Sequence, residues 1–303
     1  MNNYSKLEIL ENESIFIIRE AIAELNNPVF LYSIGKDSSV LLRLIQKAFY
    51  PSEIPLDILH IDTGYKFPEM IDFRNKIESQ LKLKIKVINS DLDPEQINPY
   101  TLGTNKCCSL LKTQQLISTL KNNNYDGAIG GARREEEQSR SKERIFSIRS
   151  NEGKWDPLNQ RPELWNLYNT KLNTNESLRI FPLSNWTEID IWNYINIEKI
   201  PIVPLYYAKK RQVIVENGII LPYIETNNLV LDKSMNKLKI KEMNCRFRTL
   251  GCWPCSGAIE SNANTIEQII EETQNFKNSE RQNRIIDHDS NYSMEEKKRQ
   301  GYF

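Results

Sequence analysis

The sequence predicts an α/β fold, in which helices flank a mainly parallel, twisted sheet and an irregular extension follows at the C-terminal end. Short apolar segments rich in strand formers alternate with helical patterns over the first 130 residues. A glycine-containing turn directly follows the first of these segments. The chain has 303 residues, of which 39% are hydrophobic and 26% charged, as in ordinary globular proteins. We therefore expect one large domain plus an extension.

Each element follows from the local pattern. A leading helix is predicted over 6–25, because its apolar residues recur at helical spacing and Asn26-Asn27-Pro28 ends it. The next elements in chain order are a strand over 28–32, a helix over 40–49, a strand over 56–61, a helix over 67–81, a strand over 83–88, a helix over 108–120 and a strand over 125–129. This alternation implies βαβ units with right-handed crossovers, whose ligands bind at the carboxyl ends of the strands.

The chain changes character after Ala132. The charged segment that begins there predicts a solvated helix followed by a surface loop. Thr187 is placed to cap a further helix, with Asp190 reaching back to it, and another helix is expected near 266–272. We divide the chain into a nucleotide-binding α/β domain over 1–200 and a C-terminal region over 201–303 that carries a Cys-x-x-Cys segment and a partner-binding tail.

Charge and composition exclude several classes of partner. Forty Lys and Arg residues balance forty Asp and Glu residues, so no overall basic field attracts nucleic acid or anionic lipid. The apolar stretches are far shorter than the roughly 20 residues that span a bilayer. The N-terminal residues lack the pattern of a secretion signal. We expect a cytoplasmic protein with no nucleic-acid or membrane partner, in which five cysteines indicate metal or redox chemistry rather than disulfides.

The turn after the first strand predicts an anion site. Ser33-Ile34-Gly35-Lys36-Asp37-Ser38-Ser39 joins the strand to a helix start, where backbone N–H groups, the helix dipole and a lysine favour phosphate. We call residues 33–39 the phosphate loop. It is not a Walker A loop, because that motif would need Gly in place of Phe30 and Ser or Thr in place of Asp37.

Two further strand ends are predicted to converge on this loop. The second strand ends at Asp62, which a glycine turn follows. The fourth ends at Gly130 and Gly131, where small residues allow a ligand to approach closely. Arg133 and Arg134 come next, and we expect at least one of them to face an anion.

The pattern S-x-G-K-D-S resembles the pyrophosphate loop of the N-type ATP pyrophosphatases, which split ATP between its α and β phosphates. A wider resemblance covers nearly the whole chain. It is carried by SIGKDSSVLLRL, HIDTGYKFPEM, GGARREEEQSRSKERIFSIR, WDPLNQRPELWNLYN, FPLSNWTEIDIWNYI, RFRTLGCWP, SERQNRIIDHD and KKRQGYF. Together these segments look like the family of catalytic small subunits of bacterial sulfate adenylyltransferase, which is related to the phosphoadenylyl-sulfate reductases. That relationship implies an adenine nucleotide α-hydrolase-like, Rossmann-type fold.

The resemblance implies the reaction of ATP and sulfate to adenylyl sulfate and diphosphate, with ATP bound as its Mg²⁺ complex and a larger GTPase subunit as partner. The catalytic roles then fall to Lys36, Asp37 and Arg133. The residues expected to bind the nucleotide are Ser33, Gly35, Lys36, Asp37, Ser38, Ser39, Asp62, Gly130, Gly131 and Arg134. The donors to sulfate stay open among Arg133, Arg134, Arg246 and Arg248.

Four cysteines depart from the usual pattern of that family. Cys107-Cys108 and the pair Cys252 and Cys255 have the arrangement that holds a [4Fe–4S] cluster in adenylyl-sulfate reductases. Four thiolates suit a cluster or Zn²⁺, and adjacent cysteines are less usual in zinc sites, so we expect the cluster. Zinc, or four buried thiols without a metal, remain alternatives. Cys245 is expected to be structural.

Three other functions stay open from the sequence. A reductase would attack its substrate with a C-terminal cysteine, but no cysteine follows Cys255. A nucleotide-sensing assembly module without catalysis would not need the intact phosphate loop. A tRNA-thiolating enzyme would carry a surplus of basic residues, which this chain lacks.

Overall fold

The computed structural model describes residues 5–90, 92–93, 96–216, 218–224, 240–276, 278–281, 284–285 and 299. A six-stranded sheet forms its centre, in the order β3-β2-β1-β4-β6-β5. Its strands are β1 (Pro28–Leu31), β2 (Asp57–Asp62), β3 (Ile85–Asn89), β4 (Gly127–Ile129), β5 (Phe146–Arg149) and β6 (Ser177–Ile180). All neighbouring pairs in this sheet are parallel except β5 with β6. The predicted α/β fold with a mainly parallel sheet is confirmed.

The strand order reverses at β1, which pairs with β2 on one side and with β4 on the other. Phe30 of β1 is in register with Ile58 and with Ile129. The connections that leave β1 and β4 therefore diverge, and a crevice opens at their carboxyl ends. This is the edge of the sheet at which the phosphate loop was predicted.

Nine α-helices surround the sheets in the described part of the chain. They are α1 (Lys6–Glu24), α2 (Lys36–Phe49), α3 (Pro68–Leu81), α4 (Pro99–Leu102), α5 (Thr104–Cys108), α6 (Gln114–Asn122), α7 (Gln138–Ser141), α8 (Glu188–Glu198) and α9 (Ile266–Gln274). The helix predicted over 108–120 is interrupted, because a π-helical turn, Ser109–Thr113, joins α5 to α6. The predicted cap of α8 is confirmed: Thr187 Oγ1 accepts the Asp190 N–H, and the Asp190 carboxylate accepts the Thr187 N–H.

The charged segment after β4 is not the solvated helix that its composition predicts. Only the 3₁₀ turn Arg134–Glu136 and the short helix α7 form there, and the chain then enters β5. Phe146 stacks on Tyr168 at 4.7 Å between ring centroids, and Arg149 forms a buried ion pair with Glu143. These charges therefore pair inside the fold at the sheet edge, which a count of charged residues does not reveal.

The C-terminal region is more regular than predicted. It forms an antiparallel sheet in the order β10-β9-β7-β8, with β7 (Lys209–Glu216), β8 (Ile219–Pro222), β9 (Ile240–Arg246) and β10 (Ile259–Glu260). Phe247 packs edge-on against Phe67 at 5.0 Å between ring centroids, and Trp253 against Tyr65 at 6.3 Å. These contacts bring the segment after β9 to the carboxyl end of β2.

Two sequence predictions lie beyond what the structure addresses. The division of the chain at residue 200 stays a prediction. Apart from Arg299, the tail after residue 285, with its expected role in binding a partner, falls outside the described residues. Within the described ranges, every helix is too short or too polar to cross a bilayer.

Candidate nucleotide site

A cavity of about 220 Å³ opens at the carboxyl ends of β1, β2 and β4. We call it the strand-end cavity. Of the residues predicted to bind nucleotide, those that line it are Ser33, Gly35, Asp37, Ser38 and Gly131. The first four belong to the phosphate loop, and Gly131 follows β4. Two of the three predicted strand ends thus supply predicted residues to one cavity.

The phosphate loop turns sharply before α2. Ile34 is buried and has a φ of 66°, in the left-handed region that β-branched residues rarely adopt. Gly35 occupies the N-cap position, and no side chain caps the helix there. The Lys36 N–H donates to the buried hydroxyl of Tyr206 at 2.8 Å, and Ser38 Oγ donates to the Gly35 carbonyl at 3.0 Å. Gly35, Asp37 and Ser38 at the N-terminus of α2 line the cavity, where the helix dipole favours an anion.

Gly131 lets the end of β4 approach the loop. A Cβ atom at this position would lie 3.2 Å from the carbonyl carbon of Asp37 and 3.2 Å from the backbone nitrogen of Ser38. Such contacts are tighter than ordinary van der Waals separation. The glycine predicted here for close approach thus serves the packing of the loop itself.

Two charged side chains of the phosphate loop contact two from elsewhere in the chain. We call these four residues the charge cluster: Lys36, Asp37, Arg133 and Glu280. Lys36 Nζ lies 2.5 Å from Glu280 and 3.1 Å from Asp37. Arg133 Nε donates to Asp37 at 2.7 Å, and its Nη2 donates to Glu280. The side chains of both cations are completely buried. The two predicted catalytic cations therefore both contact the third predicted catalytic residue, Asp37.

The ionisation of the cluster follows from burial and pairing. Burial opposes the charged form of Asp37, but Lys36 and Arg133 outweigh it and hold the pKa of Asp37 at about 2. Burial likewise disfavours the Lys36 cation, yet Asp37 and Glu280 raise the pKa of Lys36 above its usual value. Burial raises the pKa of Glu280 to about 7, against the attraction of Arg133 and Lys36. The two cations stay charged at neutral pH, whereas Glu280 titrates near it.

Sequence reasoning missed Tyr206 and Glu280. Glu280 lies in a segment that carries the family resemblance, but neither residue has a local pattern that marks it as functional. Glu280 is 244 residues from Lys36, and Tyr206 is 170 residues from it. Only the packing of the chain brings them to the phosphate loop.

Several predicted site residues do not line the cavity. Arg134 donates to Asn185 at 2.6 Å, and Asp62 accepts the N–H of Gly64 at 3.0 Å. Gly130 donates its N–H to Ile180, at the end of β6, and Ser39 is buried within α2.

The two distant arginines proposed for sulfate are also placed elsewhere. Arg246 pairs with Glu272 at 2.6 Å, and Arg248 pairs with Glu188 at 2.5 Å. The cations that do line the strand-end cavity are Lys66, Lys112, Arg140, Arg281 and Arg284.

The four cysteines predicted to bind metal all line the strand-end cavity, so we refer to Cys107, Cys108, Cys252 and Cys255 as the cysteine quartet. Burial, together with the neighbouring Cys252 and Cys108, raises the pKa of Cys107 to about 12. The thiol of Cys252 contacts Thr63 Oγ1 at 3.1 Å. Nowhere in the described ranges do three or more His, Cys, Asp or Glu side chains take an arrangement that could hold a metal ion. Cys245 is buried in β9, away from the cavity, as expected for a structural residue.

Comparison with known proteins defines the family. A model of the phosphoadenosine phosphosulfate reductase domain matches residues 27–258. A protein of Pseudomonas entomophila (strain L48) named sulfate adenylyltransferase subunit 2 is 51% identical over 304 residues, which cover 100% of both chains. The protein of that name from Marinomonas sp. (strain MWYL1) is 53% identical, over 98% of this chain and 97% of its own. The chain belongs to the sulfate adenylyltransferase subunit 2 family.

A solved structure is also similar. Phosphoadenylyl-sulfate reductase from Candida auris, in a phosphate complex, aligns with a TM-score of 0.45 at 17% sequence identity. The alignment covers 67% of this chain and 91% of that one. The full-length relatives confirm the family resemblance that the sequence motifs predict.

Proposed function

We propose that the protein transfers AMP from ATP to sulfate, which yields adenylyl sulfate and diphosphate. The observation that carries this proposal is the position of the phosphate loop. Gly35, Asp37 and Ser38 at the N-terminus of α2 line the cavity formed by the carboxyl ends of β1 and β4. The buried cations Lys36 and Arg133 do not line it, but both contact Asp37, which does. The names of the full-length relatives support the same reaction.

The loop fits the diphosphate end of ATP. Ser33, Gly35 and Ser38 line the cavity, and the dipole of α2 adds a positive field there. The bond from the α to the β phosphate then lies just outside the loop, toward the open cavity. The adenosine end extends away from the charge cluster.

The reaction needs positioned anions and neutralised charge but no covalent nucleophile. A sulfate oxygen forms a bond to the α-phosphorus while the bond to the diphosphate oxygen breaks, and diphosphate departs with the electron pair. Lys36 and Arg133 stabilise the charge that develops on this leaving group. Asp37 orders the loop, because one of its oxygens accepts from Arg133 and the other from Lys36. Mg²⁺ enters with ATP as part of the substrate.

Sulfate requires donors near the α-phosphate. Arg140 lines the strand-end cavity, where it also lies 3.5 Å from Glu136 and from Glu137, whereas Arg134, Arg246 and Arg248 do not line it. Arg140 therefore replaces those three as the proposed sulfate donor, since guanidinium groups bind tetrahedral oxyanions through paired hydrogen bonds.

A partner subunit completes the proposed enzyme. The relatives carry "subunit 2" in their names, and the sequence has no Walker A motif of its own. Formation of a phosphate–sulfate anhydride is strongly unfavourable, so we propose that a larger GTPase subunit supplies the free energy. All five cysteines of the chain are free thiols, which favours a cytoplasmic location.

We further propose that the cysteine quartet holds a [4Fe–4S] cluster. Four thiols from two separate segments line one cavity, which is the donor set that such a cluster needs. Burial raises the pKa of Cys108, but Lys112, Arg284 and Lys66 act in the opposite direction and would compensate thiolate charge. A bound cluster would supply a covalent link between α5 and the segment 252–255.

An assay of diphosphate release tests the function. The chain is combined with its partner subunit, ATP and sulfate, with and without GTP. We expect sulfate-dependent release of diphosphate that rises with GTP and is weak with the isolated chain. Release with a tRNA in place of sulfate would redirect the assignment to thiolation. Nucleotide binding without turnover would favour a sensing module, and consumption of adenylyl sulfate with oxidation of thiols would favour a reductase.

Anaerobic purification tests the cluster. We expect about four iron and four sulfide per chain and an absorption band from thiolate-to-iron charge transfer. Cys255→Ser should abolish the band, and Cys245→Ala, which changes a thiol outside the quartet, should retain it. Zinc in place of iron, or neither metal, would contradict the cluster.

A further inference from the structure

The cations proposed to receive diphosphate already have an internal partner. Glu280 lies in the segment 278–281, and its carboxylate spans both cations: Oε2 contacts Lys36 at 2.5 Å, and Oε1 accepts from Arg133. Its side chain is only 4% exposed. A carboxylate that bridges two cations in this way presents two oxygens, as a phosphate group does.

The segment around Glu280 is held by polar contacts, among them an ion pair of the buried Arg281 with Glu136 at 3.7 Å. Ser279 Oγ donates to the carbonyl of Glu136 at 2.7 Å. Arg248 donates to the carbonyls of residues 278 and 279, at 3.2 and 3.3 Å. Asn278 and Ser279 are themselves exposed. These contacts are polar rather than apolar, and water can replace hydrogen bonds at modest net cost, so this segment can separate from the loop without opening the apolar core.

Charge balance makes Glu280 a competitor of the nucleotide. Lys36 and Arg133 carry two positive charges, which Asp37 and Glu280 already balance. A triphosphate that approached the same cations would meet both carboxylates, and like charges repel strongly where water is excluded. Asp37 is part of the loop and cannot leave it. Glu280 comes from a separate segment and can.

We propose that Glu280 is an internal counter-ion which occupies the diphosphate position until the phosphates of ATP displace it, so that ATP binding releases the segment 278–281 from the phosphate loop. This inference rests on the proposed nucleotide site. In the nucleotide-free protein, Glu280 then balances the charge of the buried cations, which would be costly to bury without a partner of opposite charge. It also links the occupancy of the loop to the position of a C-terminal segment.

The first test measures the affinity for inorganic diphosphate by calorimetry. Glu280→Gln removes the competing charge and keeps the size of the side chain, so its Kd should be at least about tenfold lower than that of the wild type. Glu271→Gln, an exposed change on α9, serves as the control and should leave Kd unchanged. An equal or weaker affinity of the Glu280→Gln protein would overturn the proposal.

The pH dependence gives a readout that a purely structural role would not move. The charged groups that face Glu280 are Lys36, Asp37, Arg133 and Glu188. Because its pKa is about 7, Glu280 is largely neutral at pH 6 and competes less there. The ratio of the wild-type Kd to the Glu280→Gln Kd should therefore shrink as the pH falls from 8 to 6. A constant ratio would contradict the proposal.

Hydrogen exchange of the wild-type protein, measured with and without ATP, tests the proposal without any substitution. ATP should increase exchange in 278–281 while it protects the first turn of α2. Unchanged or slower exchange in 278–281 would overturn the counter-ion role, even if the Glu280→Gln protein does not fold. A different result would refute the proposed function and leave the counter-ion role standing. Diphosphate would then bind and displace Glu280, but no diphosphate would form from ATP and sulfate.

Discussion

Replacement of Lys36 tests the core of the proposed chemistry. Lys36→Ala removes a completely buried cation that contacts Glu280 and Asp37 and that would face the leaving diphosphate. Loss of one preorganised charge of this kind lowers kcat by about 10²- to 10³-fold, or roughly 3–4 kcal/mol of transition-state stabilisation. Steady-state release of diphosphate, with the partner subunit and saturating ATP and sulfate, measures the effect.

A stability effect must be separated from this loss. Breaking a buried ion pair costs about 3–5 kcal/mol, because Glu280 loses one of its two cations. The double variant Lys36→Met, Glu280→Gln removes one charge of each sign and should recover much of the lost stability, yet it should stay as inactive as Lys36→Ala. Lys47→Ala, on the same helix but paired with Glu11 and Glu198, is the matched control and should retain activity. A folded Lys36→Ala protein with a kcat within threefold of the wild type would refute the reasoning.

Three further changes probe the loop. Gly131→Ala would place a methyl group 3.2 Å from the backbone of Asp37 and Ser38, so the Kd for ATP should rise about tenfold; an unchanged Kd in calorimetry would contradict the close approach. Tyr206→Phe removes the hydroxyl that accepts the Lys36 N–H and should cost about 1–3 kcal/mol in denaturant unfolding, whereas Tyr207→Phe should cost less. Asp37 has a pKa of about 2 in the folded chain against 3.8 ordinarily, so its contribution of about 2 kcal/mol is present above pH 4 and is lost as the pH falls toward 2. Asp37→Asn should flatten the pH dependence of the free energy of unfolding over that range, and a slope equal to that of the wild type would count against the pairing.

Much of the site could be predicted from residues that are contiguous in the sequence. The phosphate loop combines a strand end, a glycine turn and a helix start within seven residues, and the structure places Ser33, Gly35, Asp37 and Ser38 on the cavity as expected. Parallel strands align their carboxyl ends, so the glycines after β4 could also be assigned to the same edge. The four cysteines were grouped by their resemblance to the cluster ligands of adenylyl-sulfate reductases, and they do line one cavity.

Other features needed contacts that no local pattern encodes. The run of charges after β4 looked solvated, but burial of Arg149 with Glu143 places part of it inside the fold and allows β5 to form. Arg246 and Arg248 looked like sulfate donors, but each pairs with a carboxylate outside the cavity.

The sequence by itself determined the first four strands of the central sheet, the phosphate loop and the types of side chain that could bind an anion or a metal, because strand, turn and helix preferences act over a few neighbouring residues. Only the tertiary structure decided which charges meet. Arg133 reaches Asp37 across 96 positions, and Glu280 reaches Lys36 across 244. Buried charges must find partners of opposite sign wherever packing brings them together, and that choice depends on the whole fold.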